Sequence, residues 1–217
     1  MDRDRTEARV TNGRRLDPRR LLDLPIVFRW LYAVVGSREW RIFAEEYVRA
    51  RAGDRILDVG CGPADLVAAL PARVEYTGID VNERYVRSAE RRFAARARFL
   101  CRPVDPGMVD ELGPASFDLV VAHGLLHHLD DAQAAEFFAI ARAAVQPGGR
   151  VVTADGCYVA GQSPVARYLL SRDRGRHVRT RDAYVALATR SFSDVSSDIR
   201  HDTYRVPYTM VFLECRA

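Results

Sequence analysis

The chain has 217 residues, a formal net charge of +4, 48% hydrophobic and 29% charged residues. Those figures exclude wholesale disorder and provide for one ordinary domain with its own core and a small appended cap. All of its 33 basic residues are arginine, so the excess reads as codon bias rather than a nucleic-acid footprint.

No apolar run is long enough to span a bilayer, and Met1-Asp2-Arg3-Asp4-Arg5 leads into no apolar leader core. A cytoplasmic protein is therefore expected. Cys61, Cys101, Cys157 and Cys215 form no Cys-x-x-Cys pair, which argues against a disulfide framework or a zinc knuckle.

Residues 1–20 are polar and arginine-rich and read as a flexible segment. Residues 21–53 read as a helical cap. Its first helix spans Leu21 to Val35, with Pro25 near the first turn. Its second, Arg38 to Arg51, is capped by Ser37 and carries Trp40, Phe43 and Tyr47 on one face. The pair either packs on the sheet and covers its edge, or covers a site and offers Phe28, Trp30 or Tyr32 to an apolar substrate pocket.

From Arg55 onward strand and helix patterns alternate, as a parallel sheet with crossover helices requires. Strands are expected at Arg55–Val59, Val74–Ile79, Ala97–Cys101, Phe117–Ala122 and Arg150–Ala154. Helices are expected at Ala64–Leu70, Glu83–Ala94 (with Asn82 as cap), up to Leu112, and at Asp131–Val145. Pro147-Gly148-Gly149 reads as a turn. An insertion covers about 156–180, a helix follows over Arg181–Arg190, and strands Asp194–His201 and Arg205–Arg216 close the chain. The predicted fold is α/β: a Rossmann-like, doubly wound, seven-stranded, mostly parallel sheet; the antiparallel C-terminal strand is implied by the family resemblance given below.

In such a sheet ligands bind at the carboxyl ends of the strands, where strand order reverses. Arg55-Ile56-Leu57-Asp58-Val59-Gly60-Cys61-Gly62-Pro63-Ala64 is a buried strand ending in a glycine turn, which lets a ligand approach the backbone. Asp58 before that turn is ill suited to a pyrophosphate. Asp80 ends strand two, 22 residues beyond Asp58. It can accept both hydroxyls of a ribose or cap the next helix; Val81 can pack on adenine. Asp105, after strand three, either receives an adenine amino group or forms a turn before Pro106.

The glycine stretch resembles the first motif of class I S-adenosylmethionine (SAM) dependent methyltransferases, with Ala64 at the usual third glycine. Phe117-Asp118-Leu119-Val120-Val121-Ala122-His123-Gly124-Leu125-Leu126-His127-His128-Leu129 resembles their fourth motif, including the Leu-His-His-Leu ending of small-molecule members. Ala141 to Arg150 resembles the helix and Pro-Gly-Gly turn before their fifth strand. The resemblance covers about residues 38–155.

It implies that Asp58, Gly60, Cys61 and Gly62 surround the methionine part of SAM. Asp80 binds ribose, Val81, Val104 and Asp105 flank adenine, and His123 and Gly124 lie near the methyl group. The implied cofactor is SAM, the product S-adenosylhomocysteine, and the partner a small methyl acceptor, with anionic and aromatic acceptors both open. His127 and His128 are the candidate catalytic bases; the alternative for either is to orient the loop. Adjacent histidines without a Cys/His cluster elsewhere argue against a metal.

Five arginines between Ser171 and Arg181, among them Arg174 and Arg176, either clamp an anionic substrate or form a solvated loop. Nucleic acid is not the expected partner, because the loop after strand four lacks the Asn/Asp-Pro-Pro-aromatic motif of base-methylating enzymes. A nicotinamide dehydrogenase is disfavoured because Asp65 replaces the third glycine of its fingerprint. A methyltransferase acting on nucleic acid or protein, and a non-catalytic SAM-binding protein, remain the alternatives.

Overall fold

The computed structural model describes residues 38–173 and 175–217. The expected flexible segment, the first cap helix with Trp30 and Tyr32, the Ser37 cap and Arg174 lie outside the described residues.

Seven strands run in the order β3-β2-β1-β4-β5-β8-β7. They are β1 (Arg55–Val59), β2 (Glu75–Asp80), β3 (Ala97–Cys101), β4 (Phe117–His123), β5 (Val145–Tyr158), β7 (Asp194–Arg200) and β8 (Met210–Arg216). A two-residue β6 (Arg179–Thr180) pairs with β5 beyond this path. Pairing is parallel from β3 through β5, and β8 runs antiparallel to both β5 and β7. Strand order reverses between β1 and β4, so a crevice opens at the carboxyl ends of those strands.

Alternation along β1 serves two cores. Leu57 and Val59 join one layer with α3 (Pro106–Leu112), α4 (Asp131–Ala144) and α6 (Arg181–Ala188). Ile56 joins the other, with Phe43 and Val48 near the amino end and Ala89 of α2 (Glu83–Phe93). A parallel strand covered on both faces is apolar at almost every position, as β1 is.

Local chemistry sets the ends of the helices. Asn82 accepts the Arg84 amide at 3.0 Å and starts α2. Asp130 and Gln133 form a reciprocal capping box at α4.

Several boundaries differ from expectation, among them the last strand, which starts at Met210 rather than Arg205. The Arg38–Arg51 helix is α1 (Glu39–Ile42) continued by a π-helical stretch, Phe43–Val48, and it ends early because Arg49 turns left-handed at φ 45°. The stretch after the glycine turn is a 3-10 segment, Asp65–Ala69. The Pro-Gly-Gly turn is an irregularity inside β5, between the Phe117↔Val145 and Leu119↔Arg150 pairs. The insertion contains α5 (Pro164–Ser171) and β6.

Candidate active site

The turn after β1 uses its own amides before any ligand could. The Gly60 and Cys61 N–H groups donate to Ile79 O at 2.8 and 3.0 Å. The Gly62 N–H donates to Asp80 Oδ2 at 2.9 Å, and the Asn82 N–H to Asp80 Oδ1 at 2.7 Å. Gly60 and Gly62 take φ of 72° and 53°, which only glycine adopts without strain; a Cβ on Gly60 would also meet Leu125 Cδ1 at 3.0 Å. Arg92 of α2 clasps the turn, donating to Pro63 O and pairing with Asp65, each at 2.7 Å.

A cavity of about 650 Å³ opens above this turn. Asp80 lines it, with two lone-pair directions of its carboxylate taken by backbone and two remaining. Asn82 is the cap of α2, which leaves Asp80 free of that role. Val81 and Tyr85 also line the cavity and are 72% and 45% exposed, high values for residues so apolar. Val104, Gly124, Leu125, His128 and Phe137 line it as well.

Asp105 is elsewhere. Its carboxylate caps α3 through the Met108 amide at 2.9 Å and pairs with Arg102 at 3.2 Å. Those contacts, the Met108 amide first, hold its pKa below the usual carboxylate range. Arg102, Pro103 and Val104 line the cavity, and Asp105 does not.

Asp58 is buried behind the turn and accepts a short hydrogen bond from the Tyr76 hydroxyl. Burial pushes its pKa up to about 6 against the opposing effects of Tyr76 and His123. Cys61 is likewise buried, with its thiol pushed up by burial and by Asp58. Neither residue is in the cavity lining.

His123 packs under α1, its ring 4.5 Å from Trp40 and 5.0 Å from Phe43. Its Nε2 lies 2.9 Å from Glu39 Oε1, an ion-pair distance without good hydrogen-bond alignment. Burial alone would lower the His123 pKa, but the charges of Glu39, Asp155 and Asp58 outweigh it and the pKa is raised.

The structure separates the two adjacent histidines. His128 lines the cavity, whereas His127 is buried outside it. His127 Nδ1 is 2.8 Å from Asp155 Oδ1, which also accepts the His127 amide at 3.1 Å. On its other side Nε2 is 3.6 Å from Asp173 Oδ1. Burial opposes protonation, but Asp155 and then Asp173 outweigh it and raise the pKa.

Arg179 completes this loop from beneath. Its guanidinium donates to the carbonyls of Leu126, Leu129 and His177 at 2.8, 2.6 and 3.0 Å and pairs with Asp131 at 2.8 Å. Of the arginine run, then, Arg179 is an internal brace, Arg181 pairs with Asp182, and Arg172 stacks on Tyr168. Arg176 is exposed and lines no cavity described here.

Sequence reasoning missed Glu39, Tyr76, Asp155, Asp173 and Arg179. Asp155 alone had a visible signal, since it directly follows the predicted fifth strand. Among the described residues no group of three or more His, Cys, Asp or Glu could hold a metal ion, and no helix is long and apolar enough to cross a membrane.

A family model described as "Methyltransferase domain" matches residues 57–151. An uncharacterised methyltransferase of Mycobacterium tuberculosis is 42% identical over 82 residues, which cover 37% of this chain and 40% of that one. The 27-O-demethylrifamycin SV methyltransferase of Amycolatopsis mediterranei is 37% identical over 117 residues, covering 48% and 39%. The chain thus spans about two-fifths of the length of these curated relatives. Among solved structures, the phosphoethanolamine N-methyltransferase 2 of Haemonchus contortus superposes with a TM-score of 0.66 at 15% identity, over 88% of this chain and 56% of that one. That likeness concerns the fold.

Proposed function

We propose that the chain is a class I SAM-dependent methyltransferase and that it moves a methyl group from SAM to a small organic acceptor. One observation carries the choice of cofactor. The turn amides of residues 60, 61 and 62 are engaged by Ile79 O and by Asp80 rather than turned toward a pyrophosphate. A five-residue 3-10 segment follows in place of an α-helix N-terminus, so the usual phosphate cradle is missing as well. What the cavity offers instead suits an adenosine. Asp80 has two lone-pair directions for the ribose hydroxyls, Val81, Tyr85 and Val104 offer apolar surface for adenine, and the glycine backbone leaves room for the amino-acid end.

When bound, SAM supplies a sulfonium-activated methyl group, which leaves the protein mainly to position the nucleophile and exclude water. Asp80 orients the nucleoside, and Gly124 leaves space beside the strand β4 end. His128, in the cavity lining, is the residue we assign as proton acceptor where the nucleophile is a hydroxyl or a protonated amine. His127, held between two aspartates, keeps the His128 loop in place. The curated relatives named for rifamycin and quinone methylation support a small organic acceptor.

Calorimetric titration with SAM, S-adenosylhomocysteine and NAD tests the reading. Micromolar binding of the two adenosyl sulfur ligands is expected. Binding of NAD in their place would overturn it.

A further inference from the structure

The described residues expose four large apolar side chains, Val81, Tyr85, Val165 and Tyr168. Val81 and Tyr85 line the cavity above the glycine turn. Val165 and Tyr168, 52% and 58% exposed, are not in its lining and stand on α5, the helix of the insertion after β5.

The two sides of α5 differ sharply. Ala166 and Leu170, four residues apart, are buried, and Leu170 packs so closely on Gly156 of β5 that a Cβ there would meet it at 2.6 Å. Pro164, Val165, Tyr168 and Arg172 fall on the other side at helical spacing, and all four are exposed.

The charge around this stripe is of one sign. From Gly156 to Arg181 the chain has six arginines and one acid, Asp173. Asp173 is turned inward to His127 and Tyr208. Arg179 is the internal brace, and Arg181 pairs with Asp182. Arg167, Arg172 and Arg176 are exposed and have no ion-pair partner among the described residues.

Two of these arginines lie over rings in place of carboxylates. Arg167 sits over Tyr158 and Arg172 over Tyr168, each 5.4 Å from the ring centroid. A guanidinium stacked in this way uses its face and keeps its in-plane N–H donors, the fork that takes a phosphate. Tyr168 belongs to the apolar stripe as well, so it holds a phosphate-binding group beside an apolar one.

Dimensions choose between partners. The eight residues of α5 make a helix about 12 Å long. Its two large exposed apolar side chains fall far short of the roughly 800 Å² that a stable protein partner buries on each side. A bilayer asks less. A few apolar groups at the acyl boundary and arginines at the headgroups give reversible attachment, and tyrosine suits the level between them. Lying on a bilayer needs no helix long enough to cross it.

We propose that the outer face of α5 docks the protein on an anionic phospholipid surface. Val165 and Tyr168 enter the edge of the acyl layer, and Arg167, Arg172 and Arg176 take headgroup phosphates. Helix α2 provides the contrast. It carries arginines too, but mixes them with acids: Arg87 pairs with Glu83 at 3.0 Å, and Glu90 precedes Arg91.

The test is co-sedimentation of the full chain with vesicles of phosphatidylcholine alone and of phosphatidylcholine with about one third phosphatidylglycerol. We expect binding to the anionic vesicles only, weakened by added salt. Arg167→Gln with Arg172→Gln should weaken it about 20-fold, near fivefold for each charge. Tyr168→Ser should weaken it about fivefold. Arg84→Gln with Arg91→Gln on α2 removes the same charge and should leave binding nearly unchanged. All of these positions are exposed, so thermal melting should stay where it is in wild type.

Failure to sediment with the anionic vesicles, or equal losses in the two double variants, would overturn the proposal. Release by inorganic phosphate at constant ionic strength would overturn it in favour of a small-anion site. A dimer in sedimentation velocity that Tyr168→Ser dissociates would overturn it by giving the face to a second copy of the chain.

Discussion

The two halves of the sheet build their surfaces by different means. Around β1 and β2 the site is mostly backbone: three successive amides, two left-handed glycines and one carboxylate that receives two N–H groups. Around β5 and β8 it is side chains reaching across the fold. Glu39 meets Tyr204 over 165 positions of sequence, and Arg179 braces carbonyls some 50 positions away. A backbone site is specified by local residue choice and tolerates varied surroundings. A side-chain network depends on every partner being present, because each buried polar group left unpaired carries its full desolvation cost.

The sharpest way to break this contrast is Arg179→Ala. Three carbonyls and Asp131 lose a partner at once, and much of that group is buried. Asp131 stays solvated when its partner goes, so the cost lies in the three carbonyls that lose a charged donor and should be about 3–4 kcal/mol of stability. Urea unfolding measures it, and a loss below about 1 kcal/mol would mean the loop is held by its own turn.

On the backbone side the counterpart is Asp80→Ala. It should cut S-adenosylhomocysteine affinity about 100-fold, roughly 3 kcal/mol, for two lost charge-assisted hydrogen bonds. Isothermal titration reads this directly. Unchanged affinity would move the ribose contact elsewhere.

The same contrast explains what the sequence could and could not reveal. The bounds of β1 and β3, the Asn82 cap and the Asp80 position follow from local pattern: an apolar run, a turn, a helix start. The antiparallel β8 followed from resemblance to a known family, not from periodicity, and the strand order was written in no local pattern. His127 and His128 are adjacent, so nothing local says that one lines the cavity and the other is wedged between Asp155 and Asp173. Asp173 and Arg179 sat in an arginine-rich run whose bulk charge hid the inward-facing guanidinium of Arg179. Asp105 had two open readings, and its place at the N-terminus of α3 depends on where Pro106 starts that helix.

A third prediction turns on Asp58, where the two halves meet. Its folded pKa of about 6 stands above the unfolded 3.8. Stability from this group is therefore complete below about pH 3.8 and is lost as pH rises through 6. Asp58→Asn removes the charge and keeps an oxygen for the Tyr76 hydroxyl. The variant should be more stable than wild type by roughly 2 kcal/mol at pH 7.5, with the gap closing toward pH 4. Denaturation midpoints across that range measure it. A pH-independent difference would mean that the charge is compensated by His123 rather than strained by burial.

The smallest effect expected is also the most diagnostic of the glycine turn. Ala64 occupies the third small position and takes φ of 59°, left-handed, while being fully buried. Three contributions compete in Ala64→Gly. Relief of left-handed strain gains about 1–2 kcal/mol. Extra freedom in the unfolded chain costs about 0.5–1 kcal/mol. Removing a methyl packed in the core beside Leu66 and Val67 costs about 0.8 kcal/mol. The balance lies within about 0.8 kcal/mol of zero, so alanine can stand where the family pattern has glycine. Gly60→Ala has no such compensation, because its new Cβ would be both left-handed and pressed against Leu125. A denaturant midpoint unchanged in Ala64→Gly beside a clear loss in Gly60→Ala would show that packing, rather than backbone freedom, decides which small residue the turn accepts. A gain above about 1 kcal/mol in Ala64→Gly would show instead that the alanine methyl contributes little and the strain is real.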